Sequence, residues 1–187
     1  YYAKKMGLPI HKLICASNSN NVLTEFLKTG VYNRNREFHA TISPSMDILI
    51  SSNLERLLFD VTGHNTEKVA GWMKELSETG RYQVDAETLA AIQEVFAADY
   101  CDDKTTEETI AEVYESTHYL CDTHTAVAVN AYEQYLQETK DDTPTVVVST
   151  ASPYKFTDSV LKAVSKHYDA AMDEFAKVQQ LSKETGT

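Results

Sequence analysis

Thr145-Val146-Val147-Val148-Ser149 is β-branched and apolar, with no polar alternation. A half-exposed strand alternates apolar with polar residues, so a uniform run of this kind belongs inside a sheet with helices on both faces. Leu13-Ile14-Cys15-Ala16, bounded by turn residues, reads as a second buried strand. Residues 38–42 offer a third candidate. Interior strands need neighbours on both sides, and two or three strands cannot supply them. The rest of the sheet is therefore expected in sequence outside these 187 residues, an expectation that fits a chain opening on Tyr1 rather than Met.

The other segments read as helices. Tyr1 to Met6 has helix-forming composition and stops at Gly7-Leu8-Pro9. Val22, Leu23, Phe26 and Leu27 make a helical stripe that ends at Gly30. Helical spacing returns after Pro44 in Ile48, Leu49, Leu54, Leu57 and Leu58, then in Val69, Trp72, Met73 and Leu76, then in Leu89, Ile92 and Phe96. Two helices are expected over 106–138, the second starting near His124, and two more around Val160 to Val164 and Ala171 to Leu181. Short connections between helix, strand, loop and helix at the start give the rhythm of an α/β fold with a parallel sheet. The implied organisation is an α/β part over 1–45, a mainly helical part over 46–142, and a return to the α/β core over 143–187.

Charge narrows the functional classes. With 28 acidic against 17 basic side chains, the net charge of −11 repels nucleic acid and anionic lipid, and no basic run overrides it. Any anionic ligand must be held by a few cations, which draws attention to Arg56 and Lys155. No apolar stretch approaches the roughly 20 residues of a membrane span. Cys15, Cys101 and Cys121 form no CxxC pair, so a reducing, cytoplasmic setting is expected. His118 and His124 flank Cys121 without a zinc spacing, and Asp99-Tyr100-Cys101-Asp102-Asp103 lacks the pattern of a calcium loop and reads as solvated.

Three segments exceed what packing needs. Ala16-Ser17-Asn18-Ser19-Asn20-Asn21 sits where open α/β sheets bind ligands, and is either a capped turn or a contact made by Asn18. Ser43 to Asp47 leads into Asn53, Glu55 and Arg56, polar groups in an apolar helix that either orient a ligand or form buried pairs. Ser149-Thr150-Ala151-Ser152-Pro153-Tyr154-Lys155-Phe156 ends a strand in two hydroxyls, a turn and a cation. It is either a strand end followed by a capped helix or a ligand contact, and uncharged hydroxyls in that place suit a heteroaromatic nitrogen better than a charged ligand.

Taken in order, LICASNSNNVLTEFLKTGVY (13–32), SPSMDILISSNLERLLFD (43–60), DTHTAVAV (122–129) and VVVSTASPYKF (146–156) resemble the threonine synthase family over nearly the whole chain. The resemblance implies a fold-type-II scaffold with pyridoxal phosphate and conversion of O-phosphohomoserine and water to threonine and phosphate. The cofactor would act as the electron sink while phosphate leaves Cγ and water adds at Cβ. It also implies that Thr150, with Ser149 beside it, faces the pyridine nitrogen, and that Lys155, Arg56 and Asn18 are candidates for the substrate's phosphate or carboxylate. Family members often have His where this chain has Ser152, and a small residue where it has Tyr154, so a role for that His does not carry over. The Phe-Lys-Asp segment and the Gly-Asn-rich phosphate loop of the family are absent, so no lysine here is assigned to bear the cofactor, and both are expected upstream. The alternatives are another fold-type-II lyase, such as a serine or threonine dehydratase, and a helical binding module without catalysis.

Overall fold

The computed structural model describes all 187 residues. Chain entry is a short helix α1 (Tyr2–Lys5), released by Gly7 at φ +101° before strand β1 (Leu13–Ser17). Helix α2 (Val22–Thr29) turns its apolar stripe inward and stops at Gly30, whose φ of +76° places it in the left-handed cap that glycine adopts without Cβ cost. Strand β2 (Val31–Asn33) follows, then a long connection with one 3₁₀ turn at Pro44–Met46. Helices α3 (Leu54–Val61) and α4 (Thr66–Thr79) lead to β3 (Arg81–Gln83), α5 (Ala86–Val95) and β4 (Phe96–Tyr100). Helices α6 (Asp103–Thr117) and α7 (Thr123–Thr139) precede a second 3₁₀ turn at Pro153–Phe156, then α8 (Thr157–Val164) and α9 (Glu174–Thr185).

Strands β1 and β4 pair in parallel, from Leu13 opposite Phe96 to Ser17 opposite Tyr100, and the ladder continues as Cys101 N–H donates to Ser17 O at 3.1 Å. The chain is thus the α/β type expected, mainly helical with few parallel strands, and both α2 and α7 pack against the pair. β2 and β3 form a separate antiparallel pair in which Tyr32 lies opposite Tyr82. Their rings stack at 5.3 Å, beside Phe26 and Trp72, in a core cluster that also takes in Val22, Leu58 and Ile92. Burying each large apolar side chain there contributes about 1.5–3 kcal/mol. A second cluster joins Ile110, Cys121 and Ala126 to Val160, Leu161 and Leu181.

Five expectations are corrected. Residues 145–149 form no strand: Val146 is 86% and Val148 70% exposed, because no segment of the chain lies alongside to complete a ladder. Residues 38–42 form no strand either; that stretch is pinned by side chains instead. The helix expected from Ile48 starts only at Leu54, and the one through Phe96 ends at Val95, where the backbone passes directly into β4. Asp99 is accordingly not in a solvated loop. It lies on β4, is buried, and is paired with Lys28.

Gly80 ends α4 at φ +76°, and a Cβ there would stand 2.1 Å from Asn35 Oδ1, whose amide donates to Thr79 O at 2.7 Å. Gly80→Ala combines left-handed backbone strain with loss of that hydrogen bond, so it should destabilise the protein by about 2 kcal/mol. A lowered urea midpoint at constant slope is the expected reading, and an unchanged midpoint would contradict it.

Candidate active-site wall

The parallel ladder brings the ends of β1 and β4 together, and the polar groups of the chain collect beside them. Asn18, just past β1, is buried; its Oδ1 accepts from Asn20 N–H at 2.9 Å in a side-chain turn that prepares the start of α2. The Asn18 amide nitrogen lies 2.8 Å from Thr41 Oγ1, 3.1 Å from Ser43 Oγ and 2.7 Å from Asp47 Oδ1. Asp47 also receives the Asn20 amide at 3.0 Å, Thr41 Oγ1 at 2.7 Å and Thr41 N–H at 3.0 Å. One carboxylate therefore fastens the 43–47 turn to the loop after β1. Ile42 N–H reaches across to Asp103 Oδ1 at 3.2 Å, and burial holds that carboxyl above its ordinary range.

The start of α7 forms the facing part. Asp122 is fully buried at the N-cap, accepting from His124 N–H at 2.9 Å and from the Thr125 hydroxyl. The apolar run of Ala126 and Val127 behind it is buried too, which draws the capped end inward. His124 lies with Nδ1 3.2 Å from Asp122 Oδ1, while Nε2 accepts from Ser45 N–H at 3.1 Å. Its ring meets Phe156 at 4.7 Å. Thr125 Oγ1, besides its contact with Asp122, lies 3.1 Å from Ser149 Oγ, and Tyr119 Oη donates to the same Ser149 Oγ at 3.3 Å.

The sequence candidates fall in different places. Ser149 is anchored to α7 on an exposed segment, and Thr150 next to it is exposed with no hydrogen bond from its hydroxyl to the protein. Lys155 is exposed, makes no ion pair, and has its ammonium 5.7 Å from the Phe156 ring, beside the same wall. Asn18 is tied to that wall through Ser43 and Asp47. Arg56 is not part of this network. It is exposed on α3, with Asn53 and Glu55 exposed near it rather than in buried pairs, and it lines a cavity of about 410 Å³ with Phe59, Asp60 and His64. From the sequence, His124 is weighed only as a zinc ligand and Asp122 is quoted only within a segment of the resemblance, so neither is given a place in the site. The signal available was an Asp two residues before a His at the head of an apolar helix, which marks a cap. Burial, and then the Asp122 charge, pushes the adjacent Cys121 thiol up to about 11, which disfavours its thiolate form.

A family model described as "Threonine synthase, C-terminal" matches residues 125–186. Threonine synthase of Saccharomyces cerevisiae is 39% identical over 197 residues, covering 98% of this chain and 38% of that protein. Among solved structures, a PLP-bound threonine synthase from Brucella melitensis superposes with a TM-score of 0.83 at 38% identity, over 96% of this chain and 38% of the other. The yeast threonine synthase structure gives 0.82 over 96% and 39%. The chain thus spans less than two-fifths of the length of these relatives.

Parallel strands wrapped by helices, with polar groups gathered at the strand ends, make part of an α/β scaffold that superposes on the two threonine synthase structures. The likeness extends over 96–98% of the chain. The chain belongs to the threonine synthase family.

Asp122→Ala would leave the His124 and Thr125 donors buried without an acceptor. A missing cap costs about 1–2 kcal/mol, and buried unpaired donors add about 1–3 kcal/mol. Chemical denaturation should show a loss of about 2–4 kcal/mol, with Asp122→Asn recovering most of it.

Proposed function

We propose that this chain forms one wall of a threonine synthase active site, in a longer protein that converts O-phosphohomoserine and water to threonine and phosphate with pyridoxal phosphate. The observation that carries the reading is the pair Ser149 and Thr150. Ser149 is fixed by Thr125 and Tyr119, while the neighbouring Thr150 hydroxyl is exposed and uncommitted. That arrangement fits a pyridine nitrogen, which needs one uncharged hydrogen-bond partner held in place. Bound there, the cofactor would supply an electron sink for carbon acidity in the substrate. The residues of this chain would orient its ring and leave the nitrogen largely unprotonated, since no carboxylate stands at position 150.

The lysine that bears the cofactor and the loop that holds its phosphate are placed in sequence upstream, and none of the lysines here takes that role. The β-branched run at 145–149, exposed within this chain, would gain its strand partners from the same missing portion. On this reading residues 1–45 and 143–187 belong to the α/β core and 46–142 to a mainly helical part. Lys155, unpaired beside the wall, is the foremost candidate for the substrate's phosphate or carboxylate; Asn18 and Arg56 remain further candidates, one buried in the wall and the other on α3 away from it. Three unpaired thiols are consistent with a cytoplasmic location, and no helix is long and apolar enough to cross a membrane.

Thr150→Val in the full-length enzyme removes one hydrogen bond to the ring, worth up to about tenfold in turnover. The expected result is a shifted absorption spectrum of bound cofactor and a kcat lowered by about that factor, with Thr150→Ser close to wild type. Unchanged turnover together with an unchanged spectrum would remove Thr150 from the site.

A further inference from the structure

His124 joins three segments that are far apart in sequence, and nothing in the reading above gives it a task. Only 5% of it is exposed. A backbone N–H can only donate, so the 3.1 Å contact from Ser45 N to Nε2 requires a lone pair on that nitrogen. The ring proton must then sit on Nδ1, where the Asp122 carboxylate at 3.2 Å accepts it. Phe156 closes over the ring at 4.7 Å. Donor and acceptor are thereby fixed in one neutral tautomer, by partners on either side of the imidazole.

The Ser45 end has few other supports. Pro44 has no N–H, while Met46 N–H and Asp47 N–H bond back within the turn to Ser43 O at 2.9 Å and Pro44 O at 3.1 Å. Ser45 N–H is the amide of the 45–47 stretch that reaches outside it. On its other side the turn is held by Asp47 and Ser43 to Asn18. The head of α7, in turn, holds Ser149 through Thr125. His124 is therefore the link between the 43–47 turn and the segment that carries Ser149 and Thr150.

We infer that His124 is a positioning residue: as an imidazole locked with its proton on Nδ1, it sets the 43–47 turn against the head of α7 and so fixes the spacing of the active-site wall. The positioning of a reacting centre rests on the reading given under Proposed function, whereas the clamp on Ser45 does not. The chemistry predicts an asymmetric rescue. Gln reaches as far as Nε2 with a carbonyl oxygen and can still accept from Ser45, while Asn reaches only as far as Nδ1 and cannot.

The test uses His124→Gln and His124→Asn in the full-length protein, with hydrogen exchange of the peptide containing Ser45 as the direct readout and steady-state kinetics as the second. In H124N the Ser45 amide should exchange about tenfold or more faster, and kcat should fall by about tenfold, as expected for one lost hydrogen bond at a positioned site. In H124Q both should return to within about threefold of wild type. Unchanged Ser45 exchange in H124N, or equal impairment of the two variants, overturns the clamp. Exchange that follows the prediction in a protein with no turnover of O-phosphohomoserine upholds the clamp and removes the reading of the reaction instead.

Discussion

The parallel pairing of β1 with β4 decides where every other polar group ends up. Two strands running the same way end on the same side, so Ser17 and Asn18 come to lie beside Tyr100 and Cys101 although more than eighty residues separate them. Helix α6 begins there with Asp103 facing Ile42, and α7 packs back across both strands with its capped start at the same end. Were the ladder shifted by one residue, β1 would turn its other face inward, and the loop carrying Asn18 would no longer meet the 43–47 turn.

Within that frame, the wall is built by saturating polar groups rather than by leaving them free. Asp47 takes donors from Asn18, Asn20 and Thr41; Asp122 takes them from His124 and Thr125. A fully buried carboxylate such as Asp122 is tolerable only when its oxygens are filled. What remains unfilled is therefore informative. The Thr150 hydroxyl and the Lys155 ammonium are both exposed, and neither makes a hydrogen bond or ion pair within the chain.

Much of the fold was legible from residues. The run 13–16, the stripe of α2 with its Gly30 stop, the start of α7 near His124 and the two closing helices all follow from periodicity and caps. β2 and β3 were not legible, since three residues carry no period and their stability comes from Tyr32 stacking on Tyr82, a contact across fifty positions. β4 was hidden because α5 runs into it with no turn residue between Val95 and Phe96. For the site, the turn chemistry of Asn18 and the hydroxyls at 149 and 150 could be picked out by type. The bond from Ser45 to His124 could not, because a backbone amide has no sequence signature and its acceptor lies 79 residues away. The interior strand expected at 145–149 shows the opposite failure: residue preference spoke clearly, yet a ladder needs a second strand, and the chain has none beside it.

That bare stretch has a practical corollary. Val146 and Val148 point a β-branched, uncharged surface into water with unpaired backbone on the same residues. Such edges recruit any extended peptide that can add to them, another copy included. Produced by itself at high concentration, this polypeptide would tend to self-associate and precipitate through 145–149, so a solubilising lysine at Val146 or Val148 is the natural first step in preparing it.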